Sequence, residues 1–116
     1  MELLGHEPNK VYGTMHWSFN GSHAEYSGNK VLATSNFVDK FHVFSIVWEE
    51  SKLTWLVDNI PFHSADLTAA DKDAFKKDFF LIFNIAVGGN WPGSPDNTTV
   101  FPQRMFVDYV RVFQNQ

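Results

Sequence analysis

Residues 41–59 read Phe41-His42-Val43-Phe44-Ser45-Ile46-Val47-Trp48-Glu49-Glu50-Ser51-Lys52-Leu53-Thr54-Trp55-Leu56-Val57-Asp58-Asn59. The first eight are mostly β-branched or aromatic, the side chains that fit a pleated strand. Glu49 to Lys52 is a polar turn, Leu53 to Val57 a second strand, and Asp58-Asn59 its end. Residues 41–58 are therefore expected to form an antiparallel β-hairpin, which places the chain among all-β folds.

Working outward from that hairpin, Val11 to Trp17 alternates imperfectly as a strand, with Gly13 as a weak or bent point. Asn20-Gly21-Ser22 is a turn, and Tyr26 to Ala33, polar and broken by Gly28, reads as a long loop or irregular edge. On the other side, residues 66–78 are the one helical candidate, short and capped by Thr68. Phe79 to Val87 is the most apolar run and is expected to be a central strand covered on both faces. A turn-rich loop, Gly88 to Pro95, carries Trp91, and Met105 to Phe113 forms the last strand. Five to six strands with one helical turn indicate an antiparallel β-sandwich. Such sandwiches often need roughly 200–250 residues. At 116 residues this chain has the length of half of one, a single unit spanning 1–116.

Composition narrows the function. Nine Lys and Arg against thirteen Asp and Glu leave a net charge of −4. Nucleic-acid binding relies on clustered cations, so phosphate backbones are not the expected partner. With no Cys, thiolate metal sites, disulfides and cysteine nucleophiles are excluded. No apolar run reaches the ~18 residues of a membrane span, and the N-terminus has neither the basic nor the apolar region of a signal peptide. No phosphate-binding glycine loop, His-x-x-x-His pair or nucleophile elbow occurs. Aromatic residues make up 16% of the chain, and rings on a β-surface serve equally as core or as ligand platforms.

Four groups can carry chemistry. Glu2, His6 and Glu7 place two carboxylates and an imidazole within six positions, either an acid/base set or a solvated turn around Pro8-Asn9. His16 and Trp17 are strand neighbours and must face opposite sides, so a core Trp17 leaves His16 outward. Asn84 interrupts the most apolar run and needs a partner there, either backbone or a ligand. Trp91 in its glycine-rich loop either plugs the core or offers a flat face to a sugar ring. Asp108, alone among Phe106, Val107, Tyr109 and Val110, calls for a cation or several donors unless it faces water.

Several stretches resemble glycoside hydrolase family 16, in its laminarinase-type branch. They are Leu4-Gly5-His6-Glu7-Pro8-Asn9, then Gly13-Thr14-Met15-His16, then Asn84-Ile85-Ala86-Val87-Gly88-Gly89-Asn90-Trp91-Pro92-Gly93. Val100-Phe101-Pro102-Gln103 and Val107-Asp108-Tyr109-Val110-Arg111-Val112 continue the likeness, so it covers essentially the whole chain. The resemblance implies a concanavalin A-like β-jelly roll with a sugar cleft on its concave face. It also implies retaining hydrolysis of β-1,3-glucan or mixed-linkage β-glucan, with no cofactor required for the chemistry.

By that resemblance Glu2 takes the position of the acid/base, the last Glu of a Glu-x-Asp-x-x-Glu strand. The nucleophile and the assisting Asp of that motif have no counterpart in these 116 residues. His16, Trp17, Asn84 and Trp91 take substrate-binding positions, and Asp108 matches a structural Ca²⁺ ligand. The implied chain is the C-terminal half of a secreted β-glucanase and is inactive alone. It would pair with its missing half or self-associate through exposed strands. A non-catalytic glucan-binding fragment and a self-assembling half-fold without sugar activity are the alternatives.

Overall fold

A computed structural model describes residues 1–114. It divides into two compact units, Met1–Phe80 and residues 81–116, and each is described by itself.

The first unit is all-β, as the sequence indicates. One antiparallel sheet contains β1 (Glu2–Leu3), β2 (Lys10–Phe19) and β3 (Ser22–Val31) in that order. A second contains β4 (Phe44–Trp48), β5 (Lys52–Val57) and β6 (Ile60–Asp66), also antiparallel and in order. The expected hairpin over 41–58 is β4–β5, beginning three residues later than the sequence reading.

Two tight turns set the registers. Asn20 (φ 51°) and Gly21 (φ 77°) join β2 to β3, and Asp58 (φ 51°) and Asn59 (φ 64°) join β5 to β6. Two consecutive left-handed residues match the strand twist of a two-residue hairpin, which Asn, Asp and Gly tolerate best. The first turn settles Tyr26 to Ala33 in favour of the edge over the long loop, because β3 lies at the edge of its sheet, paired regularly with β2. From Ser22 to Val31 every residue pairs with β2. The inward positions of β3 include Ala24 and Gly28, too small to give an apolar signal. The second turn creates β6, which the sequence reading missed. Pro61 is tolerated there because β6 is an edge strand.

The glycines at the sheet interface explain how the layers meet. Gly13 and Gly28 are directly opposed across β2 and β3. A Cβ on Gly13 would lie 2.7 Å from Trp55 Cγ, and one on Gly28 would run into the His63 ring. Trp55 and His63 are themselves cross-strand partners, stacked at 4.9 Å between ring centres. The paired glycines thus form a shallow seat in one sheet for a ring pair from the other. Gly13 is therefore a point of close approach, not a bend. Around that seat the core contains Met15, Leu53, Trp55, Ala65, Leu67 and Phe75 on one side, and Val11, Phe37 and Val57 on the other. Phe62 packs against both groups.

The helical candidate is a seven-residue 3-10 turn, Ala70–Lys76, with no side-chain cap. Thr68 does not cap it. Instead the Thr68 N–H donates to Asp66 Oδ1 at 2.7 Å. The turn survives because it buries Phe75 against the core, while the Trp48 Nε1–H donates to the Phe75 carbonyl at 3.1 Å.

The two expected strands beyond the 3-10 turn are not formed. Neither Phe79 to Val87 nor Met105 to Phe113 pairs with another strand among the described residues. A ladder belongs to a pair of strands, and an apolar run cannot supply its own neighbour. Phe80 is accordingly 83% exposed and Phe113 86%. What the second unit does close is the loop between them. Gly89 and Gly93 exchange two backbone hydrogen bonds, at 3.1 and 3.0 Å.

Candidate functional site

The register of β1 on β2 decides which side chains share a surface. Glu2 lies opposite Tyr12, and directly paired residues point to the same face. Alternation along β2 adds Thr14, His16 and Ser18 to that face, while Val11, Met15 and Trp17 turn to the core. Their partners on β3 are Asn29 opposite Tyr12, Ser27 opposite Thr14, Glu25 opposite His16 and His23 opposite Ser18. One side of this sheet is therefore a continuous polar strip with Glu2 at one end and the two imidazoles at the other. Four residues of strand separate Tyr12 from His16, about 13 Å.

The strip is internally bonded. Thr14 Oγ1 and Ser27 Oγ are 2.8 Å apart. The Tyr12 hydroxyl donates to Glu7 Oε2 at 2.6 Å, and Lys10 Nζ lies 3.5 Å from Glu7 Oε1. The Tyr12 hydrogen bond, with Lys10 and His6 adding attraction, holds the Glu7 carboxyl below its ordinary range. Glu7 is thus a carboxylate engaged in fixing the chain beside β1, whereas Glu2 is exposed on the strip.

Trp17 points the other way. It is half-buried against the core, edge-on to Phe75 at 6.1 Å, with Lys72 Nζ 3.5 Å from its ring centre. That is a packing role, and it separates Trp17 from the face of Glu2 and His16. Asn84, Trp91 and Asp108 belong to the second unit. Asn84 is exposed within its extended run. Trp91 sits inside the Gly89–Gly93 closure and is 53% exposed. Left-handed Gly88 (φ 69°) and Gly93 (φ 83°) bracket it, conformations that a residue with a Cβ adopts only at a cost.

Asp108 is exposed as well. Ca²⁺ takes six to eight oxygen ligands, and among the described residues no group of three converging His, Asp or Glu side chains includes Asp108. The side chains present do not make a calcium site by themselves.

Two features escaped the sequence reading. His23 and Glu25 join His16 at the hairpin end of the strip, visible only once β3 is known to pair with β2. His42, whose side chain is 2% exposed, meets Asp58 through Nδ1···Oδ2 at 2.7 Å. The Val43 N–H donates to the other oxygen at 2.9 Å, and these contacts lower the Asp58 carboxyl, the backbone bond contributing most. This clamp fixes the segment entering β4 to the β5–β6 turn.

Comparison with known proteins places the arrangement among carbohydrate-active folds. The family model described as glycosyl hydrolases family 16 matches residues 1–111. The clotting factor G alpha subunit of Tachypleus tridentatus is 37% identical over 109 residues, covering 91% of this chain and 16% of that protein. Glucan endo-1,3-beta-glucosidase A1 of Niallia circulans is 36% identical over 127 residues, covering all of this chain and 19% of that protein. Among solved structures, the laminarinase catalytic domain of Thermotoga maritima MSB8 superposes with a TM-score of 0.65 at 34% identity. That match takes in 85% of this chain and 42% of the laminarinase chain. The 116 residues thus span less than half the length of each of these relatives.

Proposed function

Because the chain belongs to glycosyl hydrolase family 16, we propose that it supplies the C-terminal half of a retaining β-glucan hydrolase acting on β-1,3-glucan. The observation that carries this is the register of Glu2 on Tyr12, which sets a carboxyl group at the end of an exposed polar strip. Glu2 is the acid/base. In the first step it gives its proton to the glycosidic oxygen as a carboxylate nucleophile bonds to the anomeric carbon. In the second it takes a proton from the water that cleaves that ester. Retention needs the two carboxyl groups about 5–5.5 Å apart. The nucleophile comes from residues outside these 116, so the chain alone does not turn over.

His16 lies on the same strip as Glu2 and contributes a hydrogen-bonding edge for sugar hydroxyls. Trp91 supplies a ring face for glucose C–H bonds, and Asn84 an amide for a hydroxyl. Asp108 contributes one ligand to a calcium site completed from outside the chain. A polymeric glucan is too large to enter a cell intact, which favours a secreted location for the complete enzyme.

The test is reducing-sugar release from laminarin by the chain alone and after adding the N-terminal half of a family relative. Activity is expected only in the mixture, and Glu2→Gln abolishes it there. Near-normal turnover by Glu2→Gln in the active mixture would remove Glu2 from the role. The lack of any counterpart to the nucleophile within the 116 residues also favours a second reading, a glucan-binding fragment. That reading requires saturable laminarin binding with no hydrolysis in any mixture.

A further inference from the structure

The hairpin end of the polar strip assembles a set of three ligands, of which the glucanase reading uses only His16. His16 and Glu25 are directly opposed, and His23 stands two residues before Glu25 on the same face of β3. His16 Nδ1 is 3.1 Å from His23 Nε2 and 3.5 Å from Glu25 Oε2. His23 Nε2 is 4.0 Å from the same oxygen. Three ligand atoms on a tetrahedral ion with bonds of about 2.0–2.2 Å stand about 3.3–3.5 Å apart. The observed edges bracket that spacing, so small side-chain rotations close the triangle on one ion.

From this geometry we propose that His16, His23 and Glu25 form a site for a divalent transition-metal cation of the zinc type. Two imidazoles and one carboxylate are ligands for Zn²⁺ or Cu²⁺, whereas Ca²⁺ and Mg²⁺ prefer all-oxygen sets. In the metal-free protein the two facing nitrogens form an imidazole–imidazole hydrogen bond, one donating and the other accepting. To bind the ion, the donating imidazole moves its bridging proton to its other nitrogen through solvent, so both facing nitrogens present lone pairs and each neutral imidazole carries one proton, on the nitrogen away from the ion.

The scaffold is rigid where it must be, because the ligands stand on paired strands beside the two-residue Asn20-Gly21 turn. It is open where a ligand must enter, since the three side chains are 50%, 64% and 58% exposed. The fourth coordination position faces solvent and takes water or a ligand oxygen. The site shares His16 with the proposed sugar-binding strip, but its geometry does not rest on that reading.

The experiment is calorimetric titration of the chain with Zn²⁺, with thermal melting in parallel. One ion per chain and a rise in melting temperature are expected, with no comparable response to Ca²⁺ or Mg²⁺. His23→Ala and Glu25→Gln change exposed positions and leave the fold intact by circular dichroism. Each is expected to weaken Zn²⁺ binding at least tenfold, about the loss that even outer-shell changes at metal sites produce. Absence of saturable binding overturns the proposal, and so does binding that neither variant weakens, because the ion then sits elsewhere.

Discussion

Gly13→Ala tests the seat that joins the two sheets. The added methyl would sit 2.7 and 2.8 Å from Trp55 Cγ and Cδ1 and 3.1 Å from Phe62 Cζ. Ordinary contact begins at 3.4 Å and extends to 4 Å, so the indole must retreat by about 0.7–1.3 Å. Trp55 is 1% exposed and stacked on His63, which leaves it nowhere to go. Overpacking of this kind costs about 1–3 kcal/mol. Restricting the unfolded chain by replacing glycine returns about 0.4–1 kcal/mol. Taken from the middle of the overpacking range, the net expectation is a loss of roughly 1–2 kcal/mol. For a unit of this size that lowers the melting temperature by roughly 4–16 °C. The assay is thermal melting followed by tryptophan fluorescence and circular dichroism together. Gly5→Ala, whose methyl meets nothing within 4 Å, is the control and stays within about 0.5 kcal/mol of the parent. A Gly13→Ala protein that melts at or above the parent temperature refutes the face-to-face packing on Trp55.

Two further outcomes follow from single residues. Trp91→Ala is expected to weaken laminarin binding roughly 5- to 10-fold, the worth of one aromatic face, while Trp17→Phe lowers stability and leaves affinity unchanged; the reverse pattern in a binding titration would exchange their roles. Burial holds the His63 imidazole below its ordinary value of 6.5, so the folded form resists protonation. Stability is then full above 6.5 and declines as pH falls through the lowered folded value. His63→Gln removes that step. It leaves the more acidic one, where Asp58, Asp66 and the other lowered carboxylates lose their partners below their ordinary 3.8. Urea melts across acidic pH that are identical for parent and His63→Gln would show that His63 is not the group responsible.

What was legible in the sequence was whatever depended on neighbouring residues. The β4–β5 hairpin announced itself through dense branched and aromatic residues, and the outward turn of His16 followed from Trp17 being core. The Phe79 to Val87 strand was read from apolarity alone, yet strand formation also requires a partner at hydrogen-bonding distance. β3 was lost for the opposite reason. Its inward face mixes Ala24 and Gly28 with Tyr26 and Lys30, and Gly28 must admit His63, so the facing sheet left no apolar alternation to read. The Asn20-Gly21 and Asp58-Asn59 pairs were the available clues, since both are favoured hairpin turns. Glu2 and the family stretches could be found by resemblance. The company that His23 and Glu25 keep with His16 could not, because it depends on the register of β3, which the residues after the Asn20-Gly21-Ser22 turn do not reveal.

The proposal that one partner segment completes both the strip and the apolar runs can be tested. The strip bearing Glu2 carries the proposed proton donor but no second carboxylate assigned to attack, and the apolar runs Phe79 to Val87 and Met105 to Phe113 form no ladder among the described residues. If a single partner segment supplies both needs, activity and order must arrive together. Titrating the chain with the N-terminal half of a family relative should bring laminarin hydrolysis and a cooperative melting transition to saturation at the same ratio, one to one. Before mixing, exposed rings such as Phe80, Phe106 and Phe113 are expected to drive association of the chain with itself. Light scattering should therefore show oligomers that give way to a single heterodimer as the partner is added. A monodisperse monomer beforehand, or hydrolysis that saturates at a ratio where the melt has not changed, would mean that the attacking carboxylate and the missing strands have separate sources.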